Sequence, residues 1–189
     1  MKKSLGANPY LFPMPVLMIA TYDENNVVDV MNMAWGGICE IDMVALNIEK
    51  ERKTEKNIEL KGAFTVSIAD IEHLAEADFF GIASGNTMPD KFERSGLHAV
   101  KSENVDAPVV EEFPVTLECE VAQVQTEGGS LRIVGKIVNV LADEKVLDEK
   151  GKVDPVKLNA FVFDQFQNGY YAIGEKVGQA WSSGDKFMK

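Results

Sequence analysis

The sequence predicts one mainly β domain, a barrel with short helical additions, and three observations carry that expectation. First, Gly and Pro recur at intervals that suit short strands and turns, while no linker, low-complexity tract or internal repeat divides residues 1–189. Second, Val115, Leu117, Cys119 and Val121 alternate with Thr116, Glu118 and Glu120, the period of a half-buried strand. The chain then turns at Glu127-Gly128-Gly129 and returns as Leu131 to Leu141. Third, several strand-like segments surround only a few short stretches of helical spacing.

Taken in order, Val16 to Tyr22 reads as a strand, Asp23-Glu24-Asn25-Asn26 as its turn and Val27 to Met33 as the returning strand. Met43 to Ile48 is a nearly continuous apolar run, as expected of a strand buried on both faces. Thr54 suits an N-cap and Lys61-Gly62 a helix end, so a short helix is expected between them, feeding a strand over Ala63 to Ala69. Ile71, Leu74, Ala75, Asp78, Phe79 and Ile82 recur at helical spacing, with Glu72, Glu76 and Asp78 expected on a solvated side. Asp90 opens a helical turn. Beyond the long hairpin, Ala142 to Val153 reads as an exposed connection, and strands are expected over Val156 to Phe163 and near Tyr170 to Ile173.

With 46% hydrophobic and 26% charged residues, the composition is that of a globular chain with one core. A net charge of −11 and a pI near 4.7 repel polyanions, so neither nucleic acid nor an anionic membrane surface is an expected partner. The N-terminus is basic but leads into no apolar segment, and Val16 to Ala20 is far too short to span a bilayer, so a soluble cytoplasmic protein is expected. Two separated cysteines, Cys39 and Cys119, give neither a disulfide framework nor a CxxC pair, and both are expected to be buried. His73 and His98 are too few and too scattered for a metal centre or a Ser-His-Asp triad. There is no GxSxG elbow, Walker loop or GxGxxG turn.

Three segments carry possible binding chemistry. Arg52-Lys53-Thr54 stands where an apolar strand yields to a helix start, so cations, a hydroxyl and free amide groups would suit a phosphate. From the residues alone a solvated turn fits better, because Glu49, Glu51 and Glu55 interleave with those cations. Asn32-Met33-Ala34-Trp35 followed by Gly36-Gly37 would let the backbone approach a planar ring, although a bulge with Trp35 in the core fits the residues better. In the loop from Ser84 to Phe92, Lys91 could meet an anion and Phe92 could cover an apolar ring; a surface loop with its cap explains the same residues.

Along nearly its whole length the chain resembles flavin reductase-like proteins of the flavoredoxin type. The motifs are Pro13-Met14-Pro15-Val16, Asn32-Met33-Ala34-Trp35-Gly36-Gly37-Ile38, Lys53-Thr54 with Asn57-Ile58, and Asp90-Lys91-Phe92 with Gly96-Leu97. Glu112-Phe113-Pro114, Leu117-Glu118-Cys119 and Tyr170-Tyr171 continue the series. The resemblance implies a single FMN-binding split β-barrel over 1–189, a homodimer with non-covalent FMN near the subunit boundary, and redox chemistry carried by the flavin. It implies that Asn32, Met33, Ala34 and Trp35 face the ring, that Arg52, Lys53 and Thr54 face the phosphate, and that the segment holding Ser84, Lys91 and Phe92 closes over the cofactor. The partner would be a redox donor such as NAD(P)H or a reduced electron carrier. A non-catalytic FMN-sequestering protein and a pyridoxamine phosphate oxidase-like enzyme are the alternatives. The chain departs from the family in having Met43-Val44 where a proline pair is usual, and Gly129-Ser130-Leu131 where a histidine is frequent.

Overall fold

The computed structural model describes residues 1–188. The elements in chain order are β1 (Leu17–Tyr22), β2 (Val28–Met33), β3 (Gly36–Glu40), β4 (Met43–Glu49), α1 (Lys53–Lys61), β5 (Ala63–Ile68), α2 (Leu74–Ile82) and α3 (Lys91–Ser95). They continue with β6 (Ala99–Lys101), β7 (Pro108–Val110), β8 (Val115–Glu127), β9 (Ser130–Ala142), α4 (Pro155–Leu158), β10 (Phe161–Asp164) and β11 (Gly169–Ala172). Seven strands form one antiparallel sheet in the order β2-β1-β5-β8-β9-β4-β3.

That order forces the sheet to curl. β2 and β3 lie at its opposite edges, yet only Ala34 and Trp35 separate them in the chain. Laid flat, seven strands would hold their edges about 29 Å apart. The link from Met33 to Gly36 spans at most about 11 Å. The two edges must therefore meet, and the result is a barrel with one unpaired seam, bridged by Ala34-Trp35.

Period two explains how β1 is buried on both sides. Leu17 and Ile19 point into the barrel with Leu46, Phe64, Val66, Cys119 and Ile133. Val16, Met18 and Ala20 point outward into a second core with Val30, Ala77, Phe80, Phe113 and Phe161. α2 supplies Ala77 and Phe80 to this outer core and so covers the β2 side of the seam. Gly135 on β9 has no side chain because a Cβ there would stand 2.3 Å from Cζ of Phe64, whose ring fills the barrel centre.

Several local expectations need correction. Thr54 is not the N-cap: Arg52 precedes α1 in extended backbone, and Thr54 lies in the first turn with its hydroxyl turned to Asp29. Residues 155–158 form a helix rather than a strand, because Asp154 accepts from the amides of Val156 and Lys157 and Pro155 is preset for the first turn. Within the charged connection, Val146 is buried against Val115, Leu158 and Ala160. Cys119 is buried, but Cys39, on the edge strand β3, is exposed. Met43-Val44 begins β4, and Val44 packs in the barrel. Among the described residues no helix is long and apolar enough to cross a membrane.

Candidate functional site

A cavity of about 430 Å³ lies along the seam. One wall is Met31 to Trp35, the end of β2 and the link to β3; another is Ile48, Glu49 and Arg52 to Thr54, where β4 passes into α1. Phe80 to Gly85 and Lys91 close one side, and Val16, Phe163 and Tyr170 supply apolar surface. The residues named in the sequence therefore converge: Asn32, Met33, Ala34, Trp35, Arg52, Lys53, Thr54, Ser84 and Lys91 all line this one space. Phe92 does not. Its ring stacks on Phe80 at 6.2 Å in the outer core, so it supports the wall from behind rather than covering a ligand.

One end of the cavity is rich in donors. Lys53 Nζ lies 3.0 Å from Asp23. Lys91, only 3% exposed, bonds Asp29 at 3.1 Å and donates to the Ala83 carbonyl at 3.3 Å. The Thr54 hydroxyl donates to the other oxygen of Asp29 at 2.6 Å. The amides of Lys53 and Thr54 belong to the first turn of α1, where no intrahelical acceptor exists. Arg52 is half exposed and paired with Glu49. Gly85 lets the 83–87 loop pack tightly here, since a Cβ would come within 2.4 Å of Asp29 Oδ1, and Asn86 pins the loop by donating to the Glu51 carbonyl at 2.8 Å.

The other end is apolar with fixed polar edges. Asn32 donates to the Ala77 carbonyl at 2.9 Å, tying β2 to α2. Tyr170 donates to Asp78 at 2.9 Å. Burial, reinforced by that carboxylate, pushes the Tyr170 phenol up to about 12, so it keeps its proton at neutral pH. Asp78, expected on a solvated helix side, instead faces this cavity. Trp35 is half exposed, and its carbonyl accepts from the Asn47 amide at 2.9 Å and side chain at 3.3 Å, which holds the link against β4.

Sequence reasoning missed Asp23, Asp29, Gly85, Asp78 and Phe163 as parts of this region. Asp23 was legible only as a turn residue, where its carboxylate does accept from the Asn25 and Val27 amides. Burial pushes its carboxyl up, but those amides and Lys53 outweigh burial and hold it below the usual range.

A family model for the flavin reductase-like domain matches residues 10–166. The flavoredoxin of Desulfovibrio vulgaris (Miyazaki F) is 36% identical, covers 97% of this chain and 100% of its own, and superposes with a TM-score of 0.92. An FMN-binding protein from Thermus thermophilus, solved with bound 1-cyclohex-2-enone, is 20% identical with a TM-score of 0.77, over 95% of this chain and 98% of that one. An uncharacterized protein of Aeropyrum pernix is 28% identical over 120 residues, which is 62% of this chain and 45% of that longer protein. With the seamed barrel and the matched span together, the chain belongs to the flavin reductase-like family and adopts its split-barrel fold.

Proposed function

We propose that this protein is a cytoplasmic, homodimeric flavoprotein that binds FMN at the barrel seam and passes electrons from NAD(P)H or a reduced electron carrier to an acceptor. The observation that carries the reading is the two-ended cavity: donors gather at one end and apolar walls with fixed polar edges at the other. Its size falls within the range of small-molecule sites. The resemblance to a flavoredoxin and to an FMN-binding protein supports the same cofactor.

Arg52, Lys53, Lys91, Thr54 and the first-turn amides of α1 would hold the phosphate. The backbone of Asn32 to Trp35 would border the ring, with Ala34 small enough to let it lie close. Phe80 and Phe163 exclude water from the apolar end, and Tyr170 offers an oxygen lone pair there because its proton is committed to Asp78. FMN, when bound, supplies the redox chemistry. The dimer is supported by exposed apolar residues along the link and the edge strand that follows it: Trp35 at 50%, Ile38 at 64% and, just past β3, Ile41 at 101% of full exposure.

The test is reconstitution with FMN, followed by anaerobic addition of NADH, NADPH or a reduced ferredoxin while the flavin absorbance is recorded. Bound FMN bleached by at least one donor is expected. Arg52→Ala and Lys53→Ala should each weaken FMN roughly tenfold or more, the scale of one lost charge-assisted bond. If both variants bind FMN like the parent, the phosphate assignment is wrong. If FMN binds but no donor reduces it, the protein sequesters flavin instead.

A further inference from the structure

We propose that Asp23 and Asp29 act as built-in counter-anions at the donor end of the cavity. They balance its lysines when no flavin is present, and by doing so limit how tightly a flavin phosphate is held. The inference rests on the cavity being a flavin site.

Both aspartates are buried, at 5% and 2% exposure, and neither lines the cavity. They form a layer behind the lining residues, Asp23 holding Lys53 and Asp29 holding Lys91 and Thr54. The third cation at this end, Arg52, is matched by Glu49. Every lining cation is thus paired within the protein. An incoming phosphate meets oriented donors but no excess positive charge, and it shares each lysine with a carboxylate already in place.

The arrangement has a second effect. A buried lysine without a partner is strongly destabilising, so an empty phosphate site built from bare lysines would weaken the flavin-free barrel. With the two carboxylates in place, the lysines stay paired once flavin has left, and a bound phosphate finds no net positive charge to offset its own. That suits a flavin which is released and rebound, not one held for the lifetime of the protein.

The roles of the aspartates as positioning groups and as counter-anions separate on substitution by asparagine. In Asp29→Asn, the amide oxygen can still accept from Lys91, and the amide nitrogen can donate to Thr54, whose hydroxyl then acts as acceptor. Shape and hydrogen bonds remain, while one negative charge is lost. In Asp23→Asn the side-chain oxygen still serves the turn amides, while the amide nitrogen replaces the oxygen that Lys53 bonds, so the charge is lost together with that one bond.

The experiment measures dissociation constants for FMN and for riboflavin, which lacks the phosphate, together with thermal unfolding with and without FMN. For both variants the expected result is FMN binding tightened by about tenfold or more with riboflavin affinity unchanged, slower FMN release, and a lower melting temperature of the flavin-free form. FMN should then raise the melting temperature more than it does in the parent. If Asp29→Asn does not fold without flavin, Asp23→Asn, which lies farther from the packed loop, carries the test. Equal weakening of FMN and riboflavin, or an unchanged preference between them, would show that the aspartates only support structure and would overturn the proposal. If the parent itself shows no preference for FMN over riboflavin, the phosphate site fails first and this inference with it.

Discussion

Ala34 stands on the link across the seam, lining both the main cavity and a neighbouring groove that runs past Trp35 and Ile38. A larger side chain there projects into open space and not into the barrel core, since Ala34 belongs to neither hydrophobic cluster. Ala34→Leu should therefore abolish FMN binding while leaving the melting temperature of the flavin-free protein nearly unchanged. Titration and thermal unfolding of one preparation check this, and normal affinity would remove the segment from the site. At this scale the sequence was readable where chemistry is local. Lys53-Thr54 beside a helix start and a small residue before Trp35 stand out in the chain, although only the family resemblance favours a binding role for them over a solvated turn and a bulge. Asp29 does not, because its meaning comes from Lys91 and Thr54, which are distant in sequence and brought to it by packing. Cys39 was misjudged for the converse reason: its residue type favours burial, but its strand is the sheet edge.

Among the elements, β9 is the strand on which the barrel turns, pairing with both β8 and β4. It does so because Gly135 leaves room for Phe64. Gly135→Ala puts a methyl group 2.3 Å from the Phe64 ring and 3.2 Å from the Cys119 Cβ, so ring and backbone must both shift. Overpacking of this kind costs about 1–3 kcal/mol. For a chain of this size each kcal/mol lowers the melting temperature by about 2–4 °C. A drop of several degrees is expected, restored in part by Phe64→Leu; an unchanged melting temperature would refute this packing account. The long strands and α2 were legible because their periodicity is sustained, and α1 because Lys61-Gly62 marks its end. β3 was hidden by its Gly36-Gly37 start and its exposure, which leave no alternation to read. Residues 155–158 misled because a short apolar run fits helix or strand equally, and the deciding signal was the Asp154-Pro155 pair.

For the whole molecule, the exposed apolar residues beside the seam, together with Val177 and Trp181 near the C-terminus, are the surface that the proposed dimer would cover. Light scattering of the FMN-loaded protein at micromolar concentration should give twice the 20.8 kDa of the chain; the mass of a single chain would refute the dimer. The barrel itself was predictable as a class, but its closure was not, since only strand order reveals that the two edges of the sheet are consecutive in sequence. That closure bears on how the protein comes to fold. The β1–β2 and β3–β4 hairpins can form early from near neighbours, yet Ala34-Trp35 reaches its final place only after β5, β8 and β9 have bridged them, and such distant pairings form slowly. The pocket at the seam thus exists only once the sheet has closed. A ligand that fits it cannot guide the chain toward the barrel; it can only reward a barrel already finished, and its occupancy gauges the fraction of chains that have arrived.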